Sequence, residues 1–500
     1  MHVLSGANVL EKPPQIPVSD SDWQRTPLAV QVLLVSLWER VEQLEQVVEQ
    51  QAARIASLET ELARRQGRGR RAAKGSSSAS GAQPSPRSGK RRSSGRAPGG
   101  QPGHEGRGRS LLSVEQVDDL VPVKPCTCHQ CGHKLLGDDP HPRRHQVTEI
   151  PPVRAYVTEY RFHTLRCQHC DTLTEATWPA DVPRRSFGPS VQAWVGLLTG
   201  AYRVSKRNVV TLLADAFGVH LSLGTVSQLE QEVSTALIAP TADARAYIRQ
   251  QPTVNMDETS WRERRTKAWL WTAVTAGVTV FAIRRHRARE VIDELLGHDH
   301  TAIVGSDRYS AYGHLPLSRR QVCWAHVRRT FEDFAARRGE AASSGQQLLQ
   351  YTQQMFTWWH RVRDGTLRRS SFQVYLSHLR SQIYLQLWIG QQLADAKTAA
   401  TCGNLLAVEP ALWTFARKPG VEPTNNDAER ALRHGVLWRH TSFGTHSPNG
   451  SRFVERMLTV RDTLRQQQRN VLDYLTTACQ AVLHNQPAPS LLPQANFVAR

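Results

Sequence analysis

Between Arg64 and Arg109 the chain carries 13 Lys/Arg against a single acid, Glu105, and is poor in large apolar residues. A stretch of this kind, rich in Gly, Ser and Pro as well, cannot bury enough surface to offset its ordering entropy. It is expected to be disordered and held to phosphates mainly by charge. One compact domain is therefore excluded, and the 500 residues divide into about three domains around this linker. The linker supplies +12 of a net charge of +19, which points to a polyanionic partner, nucleic acid first.

Ahead of the linker, Val30, Leu34, Leu37, Val41, Leu44, Val48, Ile55, Leu58 and Leu62 follow alternating steps of four and three, broken at Gln51. Glu and Gln fill the intervening positions and no helix breaker intrudes. The pattern predicts a coiled coil over 30–62 and self-association, with a long helix packed on its own protein as the alternative.

Eight cysteines are too few for a disulfide framework in a chain this long, and four of them form two Cys-x-x-Cys pairs, which suits a reducing, cytoplasmic compartment. No secretory signal opens the chain. The longest uncharged stretch, Ala268 to Ile283, contains Gly277 and reads as two strands and a turn rather than a membrane span.

After the linker, "CTCHQCGHKL" and "LRCQHC" present Cys128, Cys131, Cys167 and Cys170 as two knuckles able to offer four thiolates to a tetrahedral structural zinc ion. Cys126, His129 and His133 compete as ligands. The alternating run Tyr156 to His163 predicts strands joining the knuckles in a zinc ribbon over 111–182. Residues 205–232 then read as helix, turn, helix. Leu212, Leu213 and Phe217 lie on one face, Gly218 permits the turn, and Ser222 caps a second helix carrying Val226 and Leu229. This places a helix-turn-helix-like region at 183–248, with the second helix expected in a DNA groove.

From residue 249 the organisation changes. A short strand is expected to end at Asp257, followed by strands over 268–275 and 278–284, an amphipathic helix from about 288 to 296, and a fourth strand ending just before Asp307. Two antiparallel strands, a crossover helix and a further strand bring Asp257 and Asp307 together. Adjacent carboxylates repel unless a cation sits between them, and oxygen-only ligands suit magnesium or manganese. Glu429, in "NNDAERALR", is the third candidate, because Asn425, Asn426, Arg430 and Arg433 are the polar and cationic groups wanted beside a phosphodiester. Asp427 and Glu422 are its nearest competitors in sequence. Between Asp307 and Glu429 lie 121 residues of largely helical composition, an insertion over about 325–422 whose aromatics, Trp358, Trp359 and Trp388 among them, are expected in a core. Within it "CWAHVRRTF" offers His326 and Arg328 as contacts to the scissile phosphate or to flipped end bases.

The motifs "MDETSW", "SDRYSAY", "CWAHVRRTF" and "NNDAERALR", in this order after a zinc-binding segment and "GGQPGHEGR", resemble those of the transposases of insertion sequence family sixty-six, of the large TnpC type. The similarity runs from about Gly99 to the C-terminal region. It implies a multidomain α/β protein with a ribonuclease-H-like catalytic core, an N-terminal coiled coil, a zinc-binding domain and a helical insertion before the glutamate. Carried over residue by residue, the family's catalytic carboxylates match Asp257, Asp307 and Glu429. Two departures stand out. The second motif reads Asp307-Arg308-Tyr309 where the family commonly has Asp-Gly-Tyr, and the segment after the glutamate keeps only Arg439, Phe443 and Gly444 of the usual pattern.

The resemblance implies a core over 249–460, a C-terminal helix and tail over 461–500, and a bacterial, nucleoid-associated location. The implied activity is binding of the element's terminal inverted repeats, then cleavage and strand transfer into target DNA with two Mg2+ or Mn2+ ions, one activating the nucleophile and one stabilising the leaving oxygen. The implied partners are double-stranded DNA, further copies of the chain in a dimer or higher assembly, and small accessory proteins of the same element. A transposase-derived DNA-binding regulator and a ribonuclease-H-like nuclease without strand transfer are the alternatives. No constellation for a Tyr or Ser recombinase nucleophile is present.

Overall fold

The computed structural model describes residues 19–27, 30–31, 34–35 and 110–494. Of the expected coiled coil, only Val30, Gln31, Leu34 and Val35 fall among them, each helical. The rest of it, and the basic linker up to residue 109, lie outside the described residues. The chain forms two compact units, Met1–Gln146 and Val147–Arg500.

In the first unit a short helix, Asp20–Arg25, begins at Ser19, whose hydroxyl accepts from Asp22 N. The first cysteine knuckle closes later in the same unit. Gly132, with φ +73°, turns the chain so that its N–H donates to Cys128 O, and Cys128 N donates to His133 O.

The second unit opens with the second knuckle. Strands β1 (Thr164–Arg166) and β2 (Leu173–Glu175) pair antiparallel around it. The run 156–163 does not form the strands its alternation suggested: it is exposed almost throughout, and Phe162 stacks on Trp178. Alternation makes a strand only where a neighbouring strand takes the backbone bonds, and here the pairing belongs to the residues just after it.

Helices α1 (Pro189–Gly196), α2 (Lys206–Phe217), α3 (Leu223–Ala236) and α4 (Ile238–Arg249) follow. Ser205 and Ser222 cap α2 and α3 through their hydroxyls, and Gly218 takes the left-handed conformation (φ +68°) between them. Val209, Leu213, Val226 and Leu229 form the small core of this pair. This is the expected helix, turn, helix. Past its exposed first turn, however, α3 is largely enclosed: Glu230, Val233, Ser234 and Ala236 are buried, and Val233 and Ala236 belong to the core of the following sheet.

That sheet has five strands: β3 (Thr253–Glu263), β4 (Thr266–Val274), β5 (Thr279–Arg284), β6 (Ile303–Ser306) and β7 (Arg320–Val322), in the order β5-β4-β3-β6-β7. β3, β4 and β5 form an antiparallel meander. Helix α5 (Arg289–Leu296) returns the chain to β6, which runs parallel to β3, and β7 runs parallel to β6. β3 does not end at Asp257. It continues to Glu263 because β4 pairs with it along its whole length, from Asn255↔Val274 to Glu263↔Thr266.

The chain then leaves the sheet for a helical insertion with its own core: α6 (Trp324–Ala335), α7 (Glu340–Arg363), α8 (Arg369–Gln391), α9 (Ala396–Ala407) and two short turns of helix. Trp359 is buried in that core and Trp358 packs on it. Trp388, expected there, is about half exposed (51%) on the outer face of α8.

Helix α10 (Asn426–Ser442) brings the chain back onto β3 and β4, and a Cβ at Gly435 would run into the Leu270 side chain. Helix α11 (Pro448–Gln466) lies along the edge strand β5. There Glu455 Oε1, Thr459 Oγ1 and Thr463 Oγ1 accept from the N–H groups of Ile283 (2.5 Å), Phe281 (3.0 Å) and Thr279 (3.0 Å). This covers backbone donors that an open sheet edge would leave unpaired. The sheet's packing therefore continues past residue 460, and α12 (Val471–Leu483) packs on α1 and α3.

Candidate functional site

The parallel pairing of β3 with β6 runs Thr253↔Ile303, Val254↔Val304, Asn255↔Gly305. A Cβ at Gly305 would run into the Asn255 amide, which would have to move aside. Two residues further along each chain stand Asp257 and Asp307, on the face of β3 that also carries Asn255. Asp307 Oδ1 accepts from Tyr309 N (2.9 Å) and so shapes the turn after β6, while Asp257 Oδ1 accepts from Glu258 N (2.9 Å). Helix α10 packs over β3 and β4 and carries Glu429. Burial pushes the Asp257 carboxyl up to about 7. The charges of Glu258, Asp307 and Glu429 add to the rise, against a backbone hydrogen bond from Glu258. Three acidic groups distant in sequence thus act on one another.

Helix α6 supplies the other wall. His326 Nδ1 lies 3.5 Å and Arg329 Nη2 3.3 Å from Glu429 Oε1. Burial and Arg329 hold the His326 imidazole below its ordinary value, with Glu429 and Asp307 opposing them. Arg328, the arginine singled out from sequence, instead pairs with Glu332 one turn along α6 (3.2 Å). Residues three apart share a helical face and residues two apart do not, so it is Arg329 that accompanies His326. Arg308, standing where the family commonly has glycine, is half-buried and donates to Thr330 Oγ1 on α6 (2.8 Å).

Asn425 is fully buried. Its amide donates to Met256 O (3.3 Å) and its backbone N–H to Cys323 Sγ (3.4 Å), so it ties the start of α10 to β3 and to the start of α6. Arg430 and Arg433 are exposed, Arg430 paired with Asp427. Glu422, a competitor for the role of third carboxylate, accepts from the Trp359 indole (3.3 Å) in the insertion. Among the described residues, the metal-ligating side chains gathered within 4.8 Å of one another are Cys323, His326 and Glu429.

Behind Asp257, on the opposite face of β3, lies a buried group that sequence reasoning missed. Glu258 accepts from Tyr312 Oη (2.7 Å) and from Arg287 (2.7 Å), and the Arg287 guanidinium sits between the Tyr309 and Trp269 rings, 3.5 Å and 4.8 Å from their centroids. Tyr309 Oη donates to Arg287 O (3.0 Å). Glu258 and Tyr312 are members of "MDETSW" and "SDRYSAY", so the two motifs are bound to each other through the residue after Asp257 and the tyrosine five residues past Asp307. The signal available in the sequence was the adjacency of an aromatic-rich turn and a second acid to those aspartates.

The knuckles repeat one hydrogen-bond pattern. Cys128 N donates to His133 O and Gly132 N to Cys128 O; Cys167 N donates to Thr172 O and Asp171 N to Cys167 O, with Asp171 at φ +59° in the place of Gly132. Backbone N–H groups of Cys131 and Gln130 lower the Cys128 thiol's pKa, and hydrogen bonds from Thr172 lower that of Cys170. One thiol of each knuckle, Cys128 and Cys170, is therefore shifted toward the thiolate a zinc ion requires.

Comparison with known proteins matches residues 184–452 to the Transposase IS66 family and residues 125–171 to the zinc-finger binding domain of transposase IS66. Uncharacterized protein y4qI of Sinorhizobium fredii (strain NBRC 101917 / NGR234) is 22% identical over 436 residues, covering 79% of this chain and 78% of the relative. No helix among the described residues is long and apolar enough to cross a membrane. Because the first match covers more than half of the 500 residues and takes in the sheet, the insertion and the helix of Glu429, the chain belongs to the IS66 transposase family.

Proposed function

We propose that the protein is a DNA transposase of the DDE type that cuts its element's ends and joins them to target DNA at Asp257, Asp307 and Glu429. The observation that supports this reading is the β3–β6 register, which runs to Asn255↔Gly305, two residues short of Asp257 and Asp307, with α10 packed on β3 and β4. A strand order of three antiparallel strands, then two parallel to the first, supports a ribonuclease-H-like core, and the insertion before Glu429 supports the same assignment.

The carboxylates fit divalent cations. Asp257 is raised to about 7 by burial and neighbouring acids, the condition an ion of opposite charge relieves. Held by Asp257, Asp307 and Glu429, two Mg2+ or Mn2+ ions would supply nucleophile activation and charge neutralisation at the leaving oxygen. His326 and Arg329 orient Glu429 and offer donors to the scissile phosphate. Arg430 and Arg433 present charge to the DNA backbone, and Asn425 positions α10 rather than touching substrate. Cys128, Cys131, Cys167 and Cys170 would hold one structural zinc ion in a ribbon over 111–182. The coiled coil over 30–62 would join protomers, and the linker over 64–110 would hold DNA by charge.

The test is metal-dependent cleavage of labelled element-end DNA. Glu429→Gln, Asp257→Asn and Asp307→Asn should each lower the rate by orders of magnitude while DNA binding survives, and the losses should not add, since the residues act as a unit. A Glu429→Gln protein that cuts at the wild-type rate removes Glu429 from the site.

A further inference from the structure

On α10, away from the carboxylates, His434 lies between two arginines. Its Nδ1 is 2.9 Å from Arg203 Nη1 and its Nε2 is 2.7 Å from Arg461 Nη2. Guanidinium groups only donate, and a neutral imidazole accepts at one nitrogen alone. Whichever tautomer is present, one of the two contacts sets N–H against N–H. Protonation would set N–H against N–H at both contacts, and burial, then Arg461, Arg203, Arg465 and Arg433, push the imidazole's pKa down to about 4.

The surroundings repeat the excess of donors. The Arg461 side chain is 3% exposed, and its Nε has no hydrogen-bond partner. Its ion-pair partner is the adjacent Asp462. Arg465, one turn on, is exposed and lies over the Tyr202 ring, 5.9 Å from its centroid. Arg203 stands beside that tyrosine in the left-handed backbone region at φ +60°, a strained setting for a side chain other than glycine. Cations from two separate segments, Arg203 ahead of α2 and Arg461 with Arg465 on α11, therefore converge on His434, with the Asp462 carboxylate as the acid among them.

A phosphate group has the complementary chemistry: its oxygens only accept, and it carries the charge the cluster lacks. We infer that Arg203, Arg461 and Arg465, gathered about His434, form a binding site for a backbone phosphate of the DNA, separate from the carboxylate centre. The inference rests on the transposase reading for the identity of the polyanion. Because His434 and Glu429 share one helix, five residues and so about 7.5 Å of axial rise apart, a strand held here is held at a fixed offset from the carboxylates.

The experiment uses the full-length protein with inorganic phosphate and with element-end DNA, and needs no cleavage. Phosphate should raise the thermal midpoint above that in chloride at matched ionic strength, and Arg203→Gln combined with Arg465→Gln should abolish the difference. Both positions are partly or wholly exposed, so the double variant should fold, as circular dichroism would verify. In DNA binding, the slope of log K against log salt should become shallower by about 0.9 for each phosphate contact removed, and Arg203→Lys should restore part of the loss. No phosphate effect on the wild type, or the same effect in the double variant, overturns the site. A phosphate effect lost in the variant with an unchanged DNA slope overturns the assignment to DNA and leaves a site for free phosphate. Failure of the catalytic reading would show instead as undiminished cleavage by Glu429→Gln, which this measurement does not touch.

Discussion

Tyr312 donates a 2.7 Å hydrogen bond to Glu258, and both residues are buried. The bond joins the turn that follows Asp307 to the strand that carries Asp257, on the face of β3 opposite that aspartate. Tyr312→Phe should cost about 1–3 kcal/mol in denaturant unfolding, since it removes one donor from a buried carboxylate that keeps Arg287. Glu258→Ala should cost roughly 3–5 kcal/mol, because the half-buried Arg287 then loses its counter-charge. The two changes should be coupled rather than additive, and an additive double mutant would separate the turn from the strand energetically.

The arginines of α6 should separate in function. Arg329→Gln removes a donor that faces Glu429 and should lower cleavage by about ten- to a hundredfold, the equivalent of roughly 1.5–3 kcal/mol for a hydrogen bond to a charged group. Arg328→Gln, which gives up only the pair with Glu332 on the same helix, should stay within a few-fold of wild type. Rates on labelled DNA ends, measured side by side, check the order of the two.

Metal analysis of purified, freshly reduced protein should find about one zinc per chain, as a four-thiolate site implies. Because the knuckles share one hydrogen-bond pattern, Cys128→Ser and Cys167→Ser should each remove it to the same extent. Retention of zinc in Cys167→Ser would place the site wholly on Cys126, Cys128, Cys131 and the nearby histidines.

His434 predicts a direction for acid unfolding. Its folded pKa, about 4, lies below the ordinary 6.5, so between these values the unfolded chain binds more protons than the folded one. Stability should therefore be full above pH 6.5 and be lost as pH falls toward 4. His434→Gln should flatten that part of the stability profile, measured by denaturant midpoints at each pH.

Much of the sheet was legible in local pattern. The amphipathic spacing of α5, the turn around Gly277 and the Ser222 cap of α3 act within a few residues, and each stands where the sequence implied. The features that escaped depend on partners far along the chain. β7 is three residues, Arg320–Val322, too short to show a period, and its polar members are buried by helices from the insertion. Asn425 looked like a surface residue in a polar run, but what buries it is Met256 and Cys323, distant in sequence. Arg328 and Arg329 could not be told apart without the rotational phase of α6. The cluster around His434 draws on residues 203, 434, 461 and 465, and no window of sequence contains them together.

The pairing of α11 with β5 works as a vernier. Four helical residues advance about 6 Å and two strand residues about 6.6 Å, so Glu455, Thr459 and Thr463 stay aligned with Ile283, Phe281 and Thr279 over two consecutive steps. Deleting one residue within 456–462 would rotate everything after it by about 100° and unhook the later teeth together. A change in chain length within α11 is therefore costly. The turn over 364–368 between α7 and α8, where no strand keeps count, is open to one.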